Sequence, residues 1–93
     1  MSSSFQHVRF ENQQDITILT IVAKRVAEYE MAEELGRELS QAADEGGCQN
    51  IIVDMGEVEF MSSVGYGPFV GLRAHVKDKN GRLVLCKMTE FVN

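Results

Sequence analysis

Apolar and polar positions alternate at the start of the chain, and the period then changes. In residues 5–10, past Phe5, Val8 and Phe10 point one way and His7 and Arg9 the other. That two-residue period predicts a half-buried strand. Asn12-Gln13-Gln14-Asp15 is polar turn chemistry, and residues 16–22 (ITILTIV) are β-branched and apolar. The two runs predict a β-hairpin whose second strand, denser in Ile and Val, lies deeper in its sheet. Over residues 28–45 the period becomes helical. Tyr29, Ala32, Leu35, Gly36, Leu39, Ala42 and Ala43 share a stripe, and Glu28, Glu30, Glu33, Glu34 and Arg37 take the rest. Acidic residues crowd the first turns, where the helix dipole favours them, and Gly46-Gly47 stops the helix.

Ile51-Ile52-Val53 is a short continuous apolar run, expected of a strand covered on both faces. A second helix is predicted to start between residues 63 and 67, with Pro68 tolerated in its first turn. Its inner face is Phe69, Leu72 and Val76, with Arg73, Lys77 and Asp78 outward, and Asn80-Gly81 ends it. Leu83-Val84-Leu85 reads as the next buried strand. Strands alternating with helices of this length imply βαβ units with right-handed crossovers. The predicted fold is α/β, in the order β-β-α-β-α-β. Its sheet is mixed, parallel through the centre, with the helices packed against it. Residues 1–93 form one domain, and residues 1–4 are expected to be disordered.

Composition narrows the function classes. Ninety-three residues support one modest core. A formal charge of -5 argues against a nucleic-acid partner, because such binding rests on Lys and Arg neutralising phosphates. No run approaches the roughly 18 apolar residues of a membrane span. Met1-Ser2-Ser3-Ser4 has neither a basic n-region nor an apolar h-region, so no membrane insertion is predicted and a cytoplasmic location is expected. Cys48 and Cys86 make no C-x-x-C pair, and His7 and His75 lack metal-ligand spacing. Free thiols, no metal and no cofactor are the expectation.

Candidate chemistry concentrates in residues 51–88. IIVDM, GEVEFMSSVGYG, PFVGLRAHVKDKN and GRLVLCKM read as strand, serine-glycine turn, amphipathic helix and strand. Ser62-Ser63 falls where a strand hands over to a helix N-terminus, whose unpaired N–H groups favour negative charge. A hydroxyl there either caps the helix, worth about 1 kcal/mol, or carries a phosphate that the amides stabilise.

F-M-S-S-V-G-Y-G, with I-I-V-D-M before it and N-G-R-L-V-L-C after it, resembles the core of bacterial anti-sigma factor antagonists of the STAS domain class. The resemblance covers residues 50–88 well and residues 5–49 weakly. It implies that Ser63 is the serine phosphorylated by a partner kinase, with Ser62 on the family's preceding aspartate and Val64 on its second serine. It implies that Asp54 matches the strand-end aspartate, which supports the turn; the residues alone read it as an Asx-type turn. It further implies a partner, an anti-sigma factor that is also a serine kinase, bound by the unmodified turn and released by phosphorylation. The expected contact surface is Ser62, Ser63, Val64, Gly65 and Tyr66. Domains of this class usually continue with further C-terminal helices, and the expectation is that these are absent here, although Thr89 could cap one. A domain without them would expose apolar surface, so a two-fold homodimer is expected, through hairpin swapping or strand-edge pairing.

Three other readings compete. A STAS subunit of a stressosome-like or transporter-associated assembly would use the same face without a phospho-switch. A nucleotide-binding module would use Gly65-x-Gly67-x-x-x-Gly71, but the spacing departs from G-x-G-x-x-G and Pro68 removes a donor. Gly65 and Gly67 are instead expected to serve backbone geometry and close packing. An enzyme would need a base beside the serine. His75 lies about three turns along the second helix, at roughly 1.5 Å per residue, and His7 is remote in sequence. The chain reads as a non-enzyme.

Overall fold

The apolar alternation of residues 16–21 sets the architecture. The computed structural model describes residues 5–47 and 49–87. Its elements are β1 (Val8–Gln13), β2 (Ile16–Ile21), β3 (Arg25–Val26), α1 (Tyr29–Gly46), β4 (Asn50–Asp54), β5 (Phe60–Met61), a 3-10 turn (Ser63–Tyr66), α2 (Gly67–Asp78) and β6 (Arg82–Cys86). The main sheet runs β1-β2-β4-β6, antiparallel between β1 and β2 and parallel elsewhere. This is the mixed sheet with a parallel centre that the pattern predicts.

The hairpin is longer and its turn tighter than expected. Asn12 and Gln13 join β1, opposite Thr17 and Ile16, and only Gln14-Asp15 turns, with Gln14 at φ 58. Polar side chains account for the shift. Thr17, fully buried, donates its hydroxyl to Asn12 Oδ1 at 2.9 Å, and Asn12 Nδ2 donates to the Gly46 carbonyl at 2.9 Å. The hairpin is thereby tied to the last residue of α1. Gly46 lies so close to Thr17 that a methyl group there would overlap the threonine side chain.

Strand order then decides burial. The path from β2 through α1 to β4, and through α2 to β6, advances in one direction across the sheet. Successive crossovers of the favoured hand put both helices on the same face. Leu19, Ile21, Ile51 and Val53 are therefore buried beneath Ala32, Leu35, Leu39 and Ala42 of α1 and Phe69, Leu72 and Val76 of α2. This corrects two expectations. Ile52 is only half-buried, so β4 is covered on one face rather than two. The run Leu83–Leu85 lies in an edge strand, with Val84 55% exposed. Tyr29, placed on the apolar stripe by its spacing, stands 67% exposed because it opens α1 before the helix reaches the sheet. The helix ends as predicted, with Gly47 at φ 74 returning its N–H to the Ala43 carbonyl.

Polar ties lock the helices. Asp44 on α1 accepts hydrogen bonds from Lys79 Nζ at 2.5 Å and from His75 Nε2 at 2.8 Å. The hydrogen bond from Lys79 first holds its carboxyl below the ordinary value of 3.8, against the opposing effect of burial, and the His75 imidazole adds to the lowering. Further back along α1, Glu38 accepts the His7 backbone N–H at 2.7 Å, and Glu34 Oε1 lies 3.1 Å from His7 Nε2. Cys86 is a free, half-buried thiol. Residues 1–4, Cys48 and Thr89 lie outside the described residues, and so do the expectations placed on them.

Two measurements check this packing. Gly46→Ala drives a methyl into Thr17 and is expected to cost about 1–3 kcal/mol in urea unfolding. Gly71→Ala, at a helical position with open space around it, is expected to stabilise by about 0.5–1 kcal/mol. Asp44 gives the second check. Because its folded pKa is depressed, its contribution is present above the unfolded carboxylate pKa and is lost as pH falls through the folded one. Asp44→Asn should therefore flatten the stability profile below about pH 4.

Candidate functional site

The serine turn is held by backbone pairing that short-range sequence patterns do not reveal. β4 ends at Asp54, whose Oδ1 accepts the Gly56 N–H at 2.9 Å while Oδ2 sits 3.3 Å from Lys87 Nζ. The chain then turns down into the core through Met55 and Val58, both buried. Met55 donates to the Cys86 carbonyl and Val58 to the Met55 carbonyl. It emerges as β5, parallel to β3, in a separate two-stranded sheet. Glu59 and Phe60 both donate to the Lys24 carbonyl, and Ser62 donates to the Val26 carbonyl at 2.9 Å. Two-residue strands are too short to leave a period, and hence neither was predicted.

The pair Ser62-Ser63 follows directly. Ser63 does not stand at the N-terminus of α2: a 3-10 turn over Ser63–Tyr66 intervenes, and α2 starts at Gly67. Ser62, rather than Ser63, holds the cap position of that turn, and it makes no side-chain cap bond. Its Oγ is buried without a hydrogen-bond partner. The Ser63 side chain faces solvent. The Gly65 N–H closes the turn on the Ser62 carbonyl at 2.9 Å. Of the five residues expected at a contact surface, Ser63 and Tyr66 are exposed, Ser62 and Val64 are half-buried, and Gly65 is buried. Gly65 therefore shapes the turn instead of presenting a surface. A methyl there would overlap Met61 and come within 3.2 Å of Val26 Cγ1.

The other glycines behave differently. Gly67 has ordinary helical angles, φ -55 and ψ -46, and neither it nor Gly71 has an atom within 4 Å of a would-be Cβ. The expectation that Gly67 serves backbone geometry and close packing fails. With Gly65 buried and the other two exposed on a helix, the three do not form one phosphate cradle of the kind a dinucleotide site needs.

Exposed apolar side chains gather around the turn. Of five large hydrophobic residues with high exposure among the described residues, Phe60 precedes it by three positions, Tyr66 ends it, and Val70 lies one helical turn on. Tyr29 and Val64 share a groove of about 700 Å³ between α1 and α2, floored by Ala32, Gly36 and Gly71. Phe60 is also stacked under the Arg25 guanidinium, 4.7 Å from the ring centre. The sequence contained these residues, but only the tertiary path brings Tyr29 and Arg25 to the turn. Both imidazoles are engaged by carboxylates of α1, His7 by Glu34 and His75 by Asp44. Among the described residues, no group of three His, Cys, Asp or Glu side chains could hold a metal ion. No described helix is long and apolar enough to cross a membrane.

Solved structures share this fold. The anti-sigma factor antagonist SpoIIAA in its unphosphorylated form matches with a TM-score of 0.68 and 19% identity, over 91% of this chain and 76% of that one. The Bacillus cell fate determinant SpoIIAA in the phosphorylated form matches with a TM-score of 0.67, at the same identity and coverage. The crystal structure of Mglu matches with a TM-score of 0.66 and 18% identity, over 88% of this chain but only 19% of that longer one. At these identities the likeness is one of fold. The model of the STAS domain family matches residues 7–93 of the sequence, and the chain belongs to that family.

Proposed function

We propose that the chain is a regulatory switch of the anti-sigma factor antagonist kind, in which the exposed Ser63 hydroxyl is the phosphorylated group. The observation that carries this reading is the setting of Ser63: a solvent-facing hydroxyl on a backbone-pinned turn, with exposed Phe60, Tyr66 and Val70 within seven positions of it in the chain, in a STAS domain. Aromatic side chains around a rigid turn suit a protein partner. In the proposed cycle the unmodified face binds an anti-sigma factor that is also a serine kinase, in the cytoplasm. A phosphate on Ser63 adds about -1.5 to -2 charge at neutral pH. It would arrive beside apolar contact area and in a stretch already holding Glu57 and Glu59, where repulsion and desolvation both oppose rebinding. That a similar fold has been solved in phosphorylated and unphosphorylated forms supports a fold compatible with such a modification.

Incubation with the cognate kinase and ATP should place one phosphate on Ser63 by mass spectrometry. A phosphate on Ser62 alone, or none with an active kinase, would refute the assignment. Ser63→Asp should weaken partner binding by about tenfold or more, roughly 1.4 kcal/mol, whereas Ser63→Ala should bind as the unmodified chain does. Ser62→Ala removes a buried hydroxyl that has no partner. Its expected effect on stability lies between nil and a gain of about 1 kcal/mol, read from urea midpoints, with phosphorylation still directed to Ser63.

A further inference from the structure

The face of the main sheet turned away from the helices is apolar at its centre. Strand register puts Glu11, Ile18, Ile52 and Val84 in one row across the four strands, and Gln13, Ile16, Asn50 and Arg82 in the next. Ile16, Ile18 and Ile52 are half-buried and Val84 is 55% exposed, and none belongs to the core under the helices. Parallel strands are found almost always with both faces covered. Here the three mutually parallel strands, β2, β4 and β6, are the ones that carry the bare isoleucines and the valine. A contiguous apolar patch framed by polar positions marks a contact surface.

Charges at the margins of this face indicate what covers it. On the β1 margin, Glu11 takes a hydrogen bond from Gln13 Nε2 at 3.2 Å and has no cation beside it among the described residues. On the β6 margin, Arg82 has no carboxylate partner among the described residues. The neighbouring charges are already paired, Arg9 with Glu57 and Lys87 with Asp54. Consider two copies packed face to face, sheets about 10 Å apart. A two-fold axis parallel to the strands lays β1 of one copy over β6 of the other. Ile18 of each copy then stacks on the partner's Ile52 at the centre, and at both ends Glu11 lies over the partner's Val84, one row from Arg82 and within reach of its long side chain. A two-fold axis across the strands would instead set β1 on β1 and β6 on β6, leaving Glu11 and Arg82 at opposite margins. We propose that a second copy of this chain covers the open sheet face, in an isologous dimer related by the first axis. The surface is separate from the serine turn, and the proposal does not rest on the function assigned to that turn.

Light scattering and sedimentation equilibrium over a dilution series test it. The chain should be a dimer at high micromolar concentration and dissociate on dilution. Ile52→Lys should give a monomer with unchanged far-ultraviolet dichroism. Should that variant fail to fold, Val84→Lys on the exposed edge strand makes the same test. Glu11→Arg and Arg82→Glu should each weaken dimerisation by about tenfold, and the double variant should recover most of the loss. A monomer at every concentration would overturn the proposal. So would a dimer indifferent to Ile52→Lys and Val84→Lys, which would place the contact on the helical side or at a strand edge. Charge reversals that fail to compensate would overturn the β1-over-β6 arrangement.

Discussion

The handedness of the two crossovers governs the rest of this domain. From β2 to β4 to β6 the sheet grows in one direction, and a right-handed connection at each step leaves α1 and α2 no face but the same one. A reversal of strand order would have put one helix on the opposite face and buried Ile18, Ile52 and Val84. Without it, among the described residues one face carries the core, from Leu19 and Val53 to Leu35, Leu39 and Leu72, and the other is open. Among the described residues the sheet also has no point where its order reverses within the parallel strands, which is where open α/β sheets usually form a ligand crevice.

A domain with a one-sided core depends on how tightly its two helices are held to the sheet and to each other. Small residues and polar ties do this work. Gly46 lets the end of α1 close on buried Thr17, whose hydroxyl passes through Asn12 back to the Gly46 carbonyl. Gly81 comes so close to the Gln49 carbonyl that no side chain would fit. Asp44 reaches across from α1 to Lys79 and His75 near the end of α2. Each tie is partly open to solvent and contributes modestly, and together they join the end of α1 to the hairpin and to the end of α2.

That turn is rigid for a different reason. Its backbone is paired to β3 through Lys24 and Val26, and its inner side is filled by Gly65 against Met61 and Val26. The outcome is a hydroxyl, Ser63, offered to solvent from a scaffold that does not need it, next to one, Ser62, that is buried and unsatisfied. An unpaired buried hydroxyl costs on the order of 1–3 kcal/mol, so Ser62 is the least well-accommodated polar group in the described turn.

Periodicity alone determined the types of the four main-sheet strands and the two long helices, the αβ alternation and the helix stripe Ala32, Leu35, Leu39, Ala42 and Ala43, because each depends only on neighbours within a few positions. The Gly46-Gly47 stop and the inner face of α2 were legible for the same reason. The motif around Ser62-Ser63 also marked the candidate site from sequence. The tertiary structure decided what local pattern cannot carry. It exposed Ile52 and Val84 on an open face, since an apolar run is the same string whether one side or both are covered. It drew Asn12 and Gln13 into β1 through partners at Thr17 and Gly46, the latter more than thirty positions away. It displaced Ser63 from the helix terminus by a 3-10 turn held from Val26, and it brought Arg25 and Tyr29 to that site across the fold. In each case the deciding contact joins residues distant in sequence, and only the strand order brings them together.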